Sequence, residues 1–206
     1  MGIFLKKINL KGKTALVTGA TKGIGRGTAI ALAQAGASVI AIGRNQNELN
    51  SLGKIIKKLE VKYISFNCDV NDYSKIKLFI SELKTLDILV NNAGTNIPEP
   101  FLKVKEKSLE TILDVNTKSV FNIAQLCANK IIKLNKKSGS IINISSIFGV
   151  VAGLNRSVYS MTKFGVEGLT RGMALDLAKH NVRVNSVCPN IVLTPRTKKY
   201  FLDKNY

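Results

Sequence analysis

The stretch Thr18-Gly19-Ala20-Thr21-Lys22-Gly23-Ile24-Gly25 decides the fold class of this 206-residue chain. An apolar run, Thr14–Thr18, leads into it, and a helical pattern begins inside it. Gly19 allows a tight turn out of the strand, Gly23 allows close approach to a pyrophosphate, and Gly25 allows close helix–strand packing. The helix N-terminus offers free N–H groups to an anion. In this context the loop predicts a dinucleotide-binding βα unit rather than an ordinary flexible loop.

The same alternation of apolar runs and helical patterns continues along the whole chain. Further predicted strands are Ser38–Ile42, Tyr63–Asn67, Ile88–Asn91, Ser140–Ser145 and Val182–Val187. Predicted helices are Gly23–Gln34, Gln46–Leu59, Tyr73–Leu83, Ser108–Leu134 and Ser157–Lys179. Near-continuous apolar strands are typical of parallel strands buried between two helix layers. The sequence therefore predicts one Rossmann-type α/β domain over residues 1–206, with a doubly wound parallel sheet in a three-layer α/β/α arrangement.

Composition excludes several classes of protein. The chain is 45% hydrophobic and 21% charged, which is typical of a soluble globular domain and excludes disorder. Its formal charge is +18, but the lysines are scattered without interleaved aromatics, so nucleic acid is not predicted as the primary partner. Three cysteines at spacings unlike a zinc site predict free thiols and no metal. Without a secretory signal or an apolar membrane segment, a cytoplasmic protein is expected.

The end of the second strand bears on the choice of cofactor. An NAD-preferring site commonly has an acid there for the adenosine ribose, but this chain has Gly43-Arg44. Arg44 and Lys22 would instead place two cations near the ribose 2′ position, as a 2′-phosphate requires. NADP(H) is therefore favoured over NAD(H). The alternative is that both side chains are merely solvated.

A second constellation, Tyr159-Ser-Met-Thr-Lys163, follows the fifth strand. The four-residue spacing places Tyr159 and Lys163 on one helix face, where an ammonium favours the phenolate form of the tyrosine. Tyr159 could then exchange a proton with a carbonyl or alcohol oxygen. Ser146, at the sheet edge where such folds bind ligands, could orient the same oxygen. Without Ser146, the Tyr–Lys pair would suggest only a surface contact.

Two asparagines also stand out in the pattern. Asn91 ends the fourth strand, where it could either bind a ligand or brace the sheet. Asn116 falls inside the long predicted helix Ser108–Leu134. Asparagine is unfavourable in a helix interior unless its side chain or a local kink has a task.

Together these residues resemble the short-chain dehydrogenase/reductases, in the compact branch of 3-oxoacyl-acyl-carrier reductases and gluconate or sugar dehydrogenases. The resemblance runs from about Leu10 to about Phe201. Its motifs are TGATKGIG at 18–25, CDV at 68–70, NNAG at 91–94, Asn116, NISS at 143–146, YSMTK at 159–163 and the segment from Pro189 to Thr194. Such a set implies an NAD(P)-dependent oxidoreductase acting on CH–OH groups.

The resemblance implies roles for individual residues. Its catalytic tetrad would be Asn116, Ser146, Tyr159 and Lys163. Its cofactor-binding residues would be Gly19, Thr21, Lys22, Gly23, Ile24, Gly25, Arg44, Asp69, Val70, Asn91, Ala93, Gly94, Tyr159, Lys163, Val192 and Thr194. Among these, Asp69 and Val70 would contact the adenine, and Val192 and Thr194 the carboxamide. Tyr159 would protonate the substrate oxygen while Ser146 holds it.

The substrate and the partners stay open at this stage. A 3-oxoacyl thioester on an acidic carrier protein would suit the basic surface, with Lys137 and His180 at positions where relatives place carrier-contacting cations. A sugar, sugar acid or polyol is the rival, with Asn155 and Arg156 available to a hydroxyl or carboxylate. The family's long helices imply a homo-oligomer, either a dimer or a tetramer.

Two departures from the family pattern qualify this expectation. Pro189-Asn190 stands where the family has Pro-Gly, and a positive φ at Asn190 would preserve the turn. The family also continues through a substrate lid, of which Arg196–Tyr206 would be the start, and a seventh strand. We expect a fragment of a longer reading frame rather than a shortened homologue that pairs with a partner. A cofactor-binding protein without catalysis, regulatory or RNA-binding, is the alternative function.

Overall fold

The computed structural model describes residues 8–134, 138–195 and 197–198. Its centre is one six-stranded, all-parallel sheet in the order β3-β2-β1-β4-β5-β6. The strands are β1 Thr14–Thr18, β2 Ser38–Gly43, β3 Tyr63–Asn67, β4 Ile88–Asn91, β5 Gly139–Ile144 and β6 Val182–Val187. The strand order reverses between β1 and β4, which is where doubly wound sheets bind ligands. The predicted Rossmann-type fold is confirmed.

Helices cover both faces of this sheet. They are α1 Gly23–Gln34, α2 Gln46–Lys57, α3 Tyr73–Glu82, α4 Glu106–Leu113, α5 Ser119–Lys133 and α6 Ser157–Leu177. Helices α1 and α2 pack on one face, through an alanine-rich cluster that includes Ala29 and Ala33. Helices α3, α5 and α6 pack on the other, against larger side chains such as Leu16 and Ile141. The two clusters explain why the central strands are apolar on both sides.

The ends of several elements differ from the predicted ones. Helix α2 stops at Lys57 rather than Leu59, because the chain tightens into a turn that ends at Glu60 with a φ of 57°. Helix α6 stops at Leu177 and continues as a short 3-10 turn to Asn181, whose φ is 56°. Helix α3 ends at Glu82 because the next residue is extended. Strand β5 lies one residue earlier than predicted.

The largest difference concerns the predicted helix Ser108–Leu134. It begins at Glu106 and is interrupted by a π-helical turn, Asp114–Lys118, that separates α4 from α5. A π turn holds one residue more than an α turn, and such turns often occur at functional sites. The interruption surrounds Asn116, which is fully buried. None of the described helices is both long enough and apolar enough to cross a membrane.

Candidate active site

Tyr159 and Lys163 lie one turn apart on α6, close to the carboxyl end of β5. The Lys163 side chain is buried, and its Nζ donates a 2.8 Å hydrogen bond to the carbonyl of Ile144. The same Nζ lies 5.7 Å from the centroid of the Tyr159 ring. The chain therefore places a buried ammonium beside a phenol, as the sequence spacing predicts.

Ser146 closely follows the residues of β5 at the same edge of the sheet. Its backbone is extended, and its Oγ accepts a 3.2 Å hydrogen bond from the N–H of Phe148. The Phe148 ring meets the Tyr159 ring edge-on at 6.2 Å between centroids. The neighbouring Ser145 has another task, because its Oγ donates to the carbonyl of Lys163. Of the two serines, Ser145 holds the helix that carries Tyr159.

Asn116 is held in place by two threonines that sequence analysis did not single out. Its Oδ1 accepts from the N–H of Thr95 at 2.8 Å, and its Nδ2 donates to the carbonyl of Thr95 at 2.9 Å. The Nδ2 also donates to Oγ1 of Thr162 at 3.2 Å, and that hydroxyl donates to the carbonyl of Tyr159. Thr162 thus couples the π turn to the tyrosine. The pattern YSMTK contains it, but only the fold reveals its partner.

Gly94 shows how closely these groups approach one another. A Cβ added there would lie 3.4 Å from Oδ1 of Asn116 and 3.8 Å from Nζ of Lys163. The lysine and the asparagine therefore flank the same backbone position, directly after β4. Ser146, which follows β5, lies at the same carboxyl edge of the sheet as Asn116, Tyr159 and Lys163.

The glycine-rich loop after β1 has the backbone that its sequence predicts. Gly19 and Gly23 have φ values of 62° and 52°, which side-chain-bearing residues rarely adopt. A Cβ on Gly25 would lie 2.3 Å from Nδ2 of Asn92 and 2.4 Å from the carbonyl of Gly19. A Cβ on Gly23 would come within 3.2 Å of Thr194. The Thr194 side chain therefore packs directly against the loop at Gly23.

The chain matches the short chain dehydrogenase family over residues 13–205. It belongs to the short-chain dehydrogenases.

Relatives of known activity support this family membership. The chain is 37% identical to the 3-oxoacyl-(acyl-carrier-protein) reductase of Thermotoga maritima, over 93% of this chain and 79% of the relative. It is equally similar to L-xylulose reductase of Mus musculus, over 95% and 78%. Carbonyl reductase (NADPH) 2 of Sus scrofa is also 37% identical, over 91% and 75%.

Solved structures agree with the fold but differ in cofactor. A protein from Agrobacterium tumefaciens with bound NADP has a TM-score of 0.89 at 31% identity, covering 96% of this chain and 78% of that one. Carveol dehydrogenase of Mycobacterium avium, in complex with NAD, has a TM-score of 0.83 at 30% identity, covering 88% and 71%. The chain is therefore an NAD(P)-binding oxidoreductase that acts on carbonyl or alcohol groups.

In this short-chain dehydrogenase both cations predicted for a 2′-phosphate are paired with acids. Nζ of Lys22 lies 2.8 Å from Oε1 of Glu48, and Nη1 of Arg44 lies 3.4 Å from Oδ2 of Asp69. The lysine and arginine side chains are 64% and 79% exposed, so both can exchange partners with a ligand. The acids were not predicted as partners, because neither is close to its cation in sequence. Gly43 leaves room here for Thr21, since a Cβ on it would meet the Thr21 methyl at 2.5 Å.

Asn92, which sequence analysis passed over, joins β4 to the dehydrogenase's glycine-rich loop. Its Nδ2 donates to the carbonyls of Thr18 and Gly19 at 2.9 and 3.1 Å. The Thr18 hydroxyl in turn accepts from the N–H groups of Asn92 and Ala93. The sequence feature that could have indicated this role is the second asparagine of the NNAG motif.

Not every predicted residue points its side chain into this site. Nδ2 of Asn91 donates to Oδ1 of Asn143 at 3.0 Å and to the carbonyl of Val120, so its buried amide braces the sheet. Val70 packs partly buried against the core beside α3 and α5. Ile24 lies in the first turn of α1, half-buried. Val192 is 42% exposed.

The turn after β6 forms with Asn190 at the position where the family has glycine. Asn190 is not among the described residues with positive φ, contrary to expectation. Its Oδ1 instead accepts from the N–H of Ile191 at 2.9 Å, and the carbonyl of Pro189 accepts from the N–H of Ile147. The predicted start of the lid, Arg196–Tyr206, lies outside the described residues except for 197–198. Lys137 also lies outside them.

A buried carboxylate lies between α6 and the end of β6. Glu167 on α6 is 8% exposed and accepts hydrogen bonds from Ser186 Oγ at 2.8 Å and Cys188 Sγ at 3.3 Å. Burial raises its pKa, but hydrogen bonds from Ser186, Ser145 and Cys188, with the charge of Arg171, outweigh that effect. The net result is a pKa below the usual 4.5.

We expect Glu167 to stabilise the fold in a pH-dependent way. A carboxyl whose pKa is lower in the folded state stabilises the protein fully above its unfolded pKa, and this contribution disappears as the pH falls through the folded value. Urea unfolding should therefore show a gap between the wild type and Glu167→Gln at pH 7 that narrows below pH 4.5. Glu82→Gln, at an exposed position, should show no such gap. A gap that is constant with pH would contradict the assignment.

Proposed function

We propose that this chain reduces a carbonyl group with NADPH, using Tyr159 as the general acid. The observation that carries the proposal is the meeting of Tyr159, Lys163, Ser146 and Asn116 at the carboxyl edge of the sheet. When bound, NADPH supplies the hydride that reduces the carbonyl carbon. The chain's own groups bind the substrate and control the proton.

Each tetrad residue has a proposed task. Tyr159 donates its phenolic proton to the substrate oxygen, and the Ser146 hydroxyl holds that oxygen by a hydrogen bond. The buried Lys163 ammonium lies beside the phenol that gives up the proton. Asn116 holds the backbone at Thr95 and, through Thr162, the turn that carries the tyrosine. In the oxidation of an alcohol the same groups act in reverse order.

The preference for NADP(H) over NAD(H) is part of this proposal. It is supported by the two cations that flank the end of β2, Lys22 and Arg44. Position 44, where an NAD-preferring site commonly has an acid, is an arginine. The glycine loop would hold the pyrophosphate, and Asp69 lies close to Arg44 for the adenosine end. Thr194, which faces Gly23, would bind the nicotinamide end.

A fluorescence titration of the purified chain with NADPH and NADH tests the cofactor preference. We expect tighter binding of NADPH, and loss of about tenfold in its affinity for Lys22→Ala or Arg44→Ala, because each removes a charge-assisted contact. NADH affinity should change little. Lys62→Ala, another exposed lysine, serves as the control. Wild-type preference for NADH would contradict the proposal.

For the substrate, we propose a sugar, sugar acid or other small polyol-derived ketone. A shallow depression beside Tyr159 is lined by Glu99, Asn155 and Arg156, which offer a carboxylate, an amide and a guanidinium to hydroxyl or acid groups. His180, proposed for a carrier protein, lies before the amino end of β6. That is the edge of the sheet opposite Tyr159, so a carrier bound there would not reach the same chain's tyrosine.

A panel of ketones, assayed by NADPH oxidation, distinguishes the substrate classes. We expect a hydroxylated ketone such as L-xylulose, or a keto sugar acid, to give higher kcat/KM than an acetoacetyl thioester. Arg156→Ala should raise KM for the keto acid more than for the neutral ketose, since it removes the cation that pairs with the carboxylate. A preference for the thioester, unchanged by Arg156→Ala, would favour the carrier-bound alternative.

We also propose that the chain forms a homo-oligomer through α5 and α6. The support is an exposed apolar groove of about 400 Å³ between these helices, lined by Thr117, Phe121, Gly165, Val166 and Leu169 among others. Sedimentation of the purified chain should show a dimer or tetramer that Phe121→Lys shifts toward the monomer. A monomer at all concentrations would contradict this assignment.

A further inference from the structure

The ion pair between Lys22 and Glu48 links two different parts of the cofactor-binding region. Lys22 is the N-cap residue of α1 in the glycine-rich loop, and Glu48 lies in the first turn of α2. Their 2.8 Å contact is the shorter of the two ion pairs that flank the end of β2. Because Lys22 is 64% exposed, the pair contributes little to stability. Its effect is instead to determine the position of the Lys22 ammonium.

The main chain at Glu48 is held on both sides. Its N–H donates to Oδ1 of Asn45 at 3.1 Å, which caps α2. Its carbonyl accepts from Nη1 of Arg26 at 3.3 Å, and Nη2 of the same guanidinium donates to Ser51. Arg26 thereby ties α2 to α1. The main chain of Glu48 is consequently held in place, and its carboxylate meets Lys22 of the loop from the second βα unit.

We propose that Glu48 competes with the 2′-phosphate of NADP(H) for Lys22 and so limits the preference for NADP(H) over NAD(H). The inference rests on the proposed assignment of Lys22 to the 2′-phosphate. An ammonium that pairs with Glu48 must leave it, or share it with a second anion, when a phosphate arrives. NAD(H) lacks that phosphate and makes no such demand. Glu48 is therefore a specificity-determining residue. It makes the ratio of NADP(H) to NAD(H) affinity smaller than it would be if neither cation were paired with an acid.

Glu48→Gln tests the proposal by binding alone. Glutamine keeps the size of the side chain, and the main-chain N–H that donates to the Asn45 cap is unchanged. We expect about three- to fivefold tighter NADPH binding, the scale of an exposed ion pair, and NADH affinity unchanged within twofold. Glu82→Gln removes the same charge at an exposed site on α3 and should leave both affinities unchanged. Thermal unfolding of each variant shows whether the fold is intact.

The double variant Lys22→Ala/Glu48→Gln separates competition from simple charge repulsion. If Glu48 acts through Lys22, Glu48→Gln has no effect on NADPH affinity once the lysine is gone. A gain that persists in the Lys22→Ala background, or that appears equally for NADH, would overturn the proposal. So would an unchanged NADPH affinity in the single variant. If the wild type binds neither cofactor, or Lys22→Ala alone leaves NADPH binding intact, the proposed function fails instead.

Discussion

Replacing Tyr159 by phenylalanine should lower kcat by about 10²–10⁴-fold, the usual contribution of a positioned general acid. The change removes one hydroxyl and keeps the ring that packs edge-on against Phe148. Affinity for NADPH should stay within about twofold, because the phenol contributes little to binding the phosphate end. Steady-state kinetics and a fluorescence titration of the same preparation measure both effects.

The chain offers a matched control for this substitution. Tyr73 is 40% exposed in the first turn of α3, where its ring lies 6.0 Å from Nζ of Lys77. Tyr73→Phe removes the same hydroxyl away from the site and should leave kcat unchanged. Turnover that survives Tyr159→Phe would mean that another group supplies the proton, and the proposed mechanism would be wrong.

Gly25→Ala should abolish measurable cofactor binding. The new Cβ would lie 2.4 Å from the carbonyl of Gly19 and 2.3 Å from Nδ2 of Asn92. The carbonyl is backbone and cannot swing away as the end of a side chain can, so the loop or the start of α1 must shift. Overpacking of this kind costs about 1–3 kcal/mol in the free energy of unfolding. Urea unfolding and the NADPH titration measure the two consequences separately.

Gly27, half a turn further along α1, should tolerate alanine. A Cβ there meets nothing within 4 Å. Alanine is the better helix former, so Gly27→Ala should raise the free energy of unfolding by about 0.5–1 kcal/mol and leave NADPH binding intact. If Gly25→Ala bound NADPH as well as Gly27→Ala does, the close helix–loop packing would not matter for the cofactor.

The sequence predicted the sheet well because parallel strands buried on both faces leave an unambiguous pattern. The bounds of β1, β3, β4 and β6 agree with the structure to the residue. Helix ends were less accurate, since the final turns tighten through contacts such as that between Glu60 N–H and the carbonyl of Lys57. Such a tightening changes no periodicity, so the pattern of apolar residues does not reveal it.

The sequence indicated which residues to expect near the candidate site, but not how their side chains pair. Tyr159 and Lys163 are neighbours on one helix turn, so their spacing is visible in the sequence. Glu48 and Lys22 are separated by a strand and a helix, and only the fold brings them together. The bond from Asn116 to Thr162 likewise joins two distant segments. Long-range pairs of polar groups carry no periodic signal.

The π turn that holds Asn116 also sets the rotational phase of the helices on either side. Residues advance by about 100° each in a straight α-helix, so Ser108 and Val120 would point roughly 120° apart. Both are nonetheless buried, because the wider turn takes up part of that angle. Loss of one residue between α4 and α5 would rotate one helix against the other and withdraw the Asn116 amide as well. The number of residues in this segment therefore fixes both the packing of the two helices and the position of the Asn116 amide.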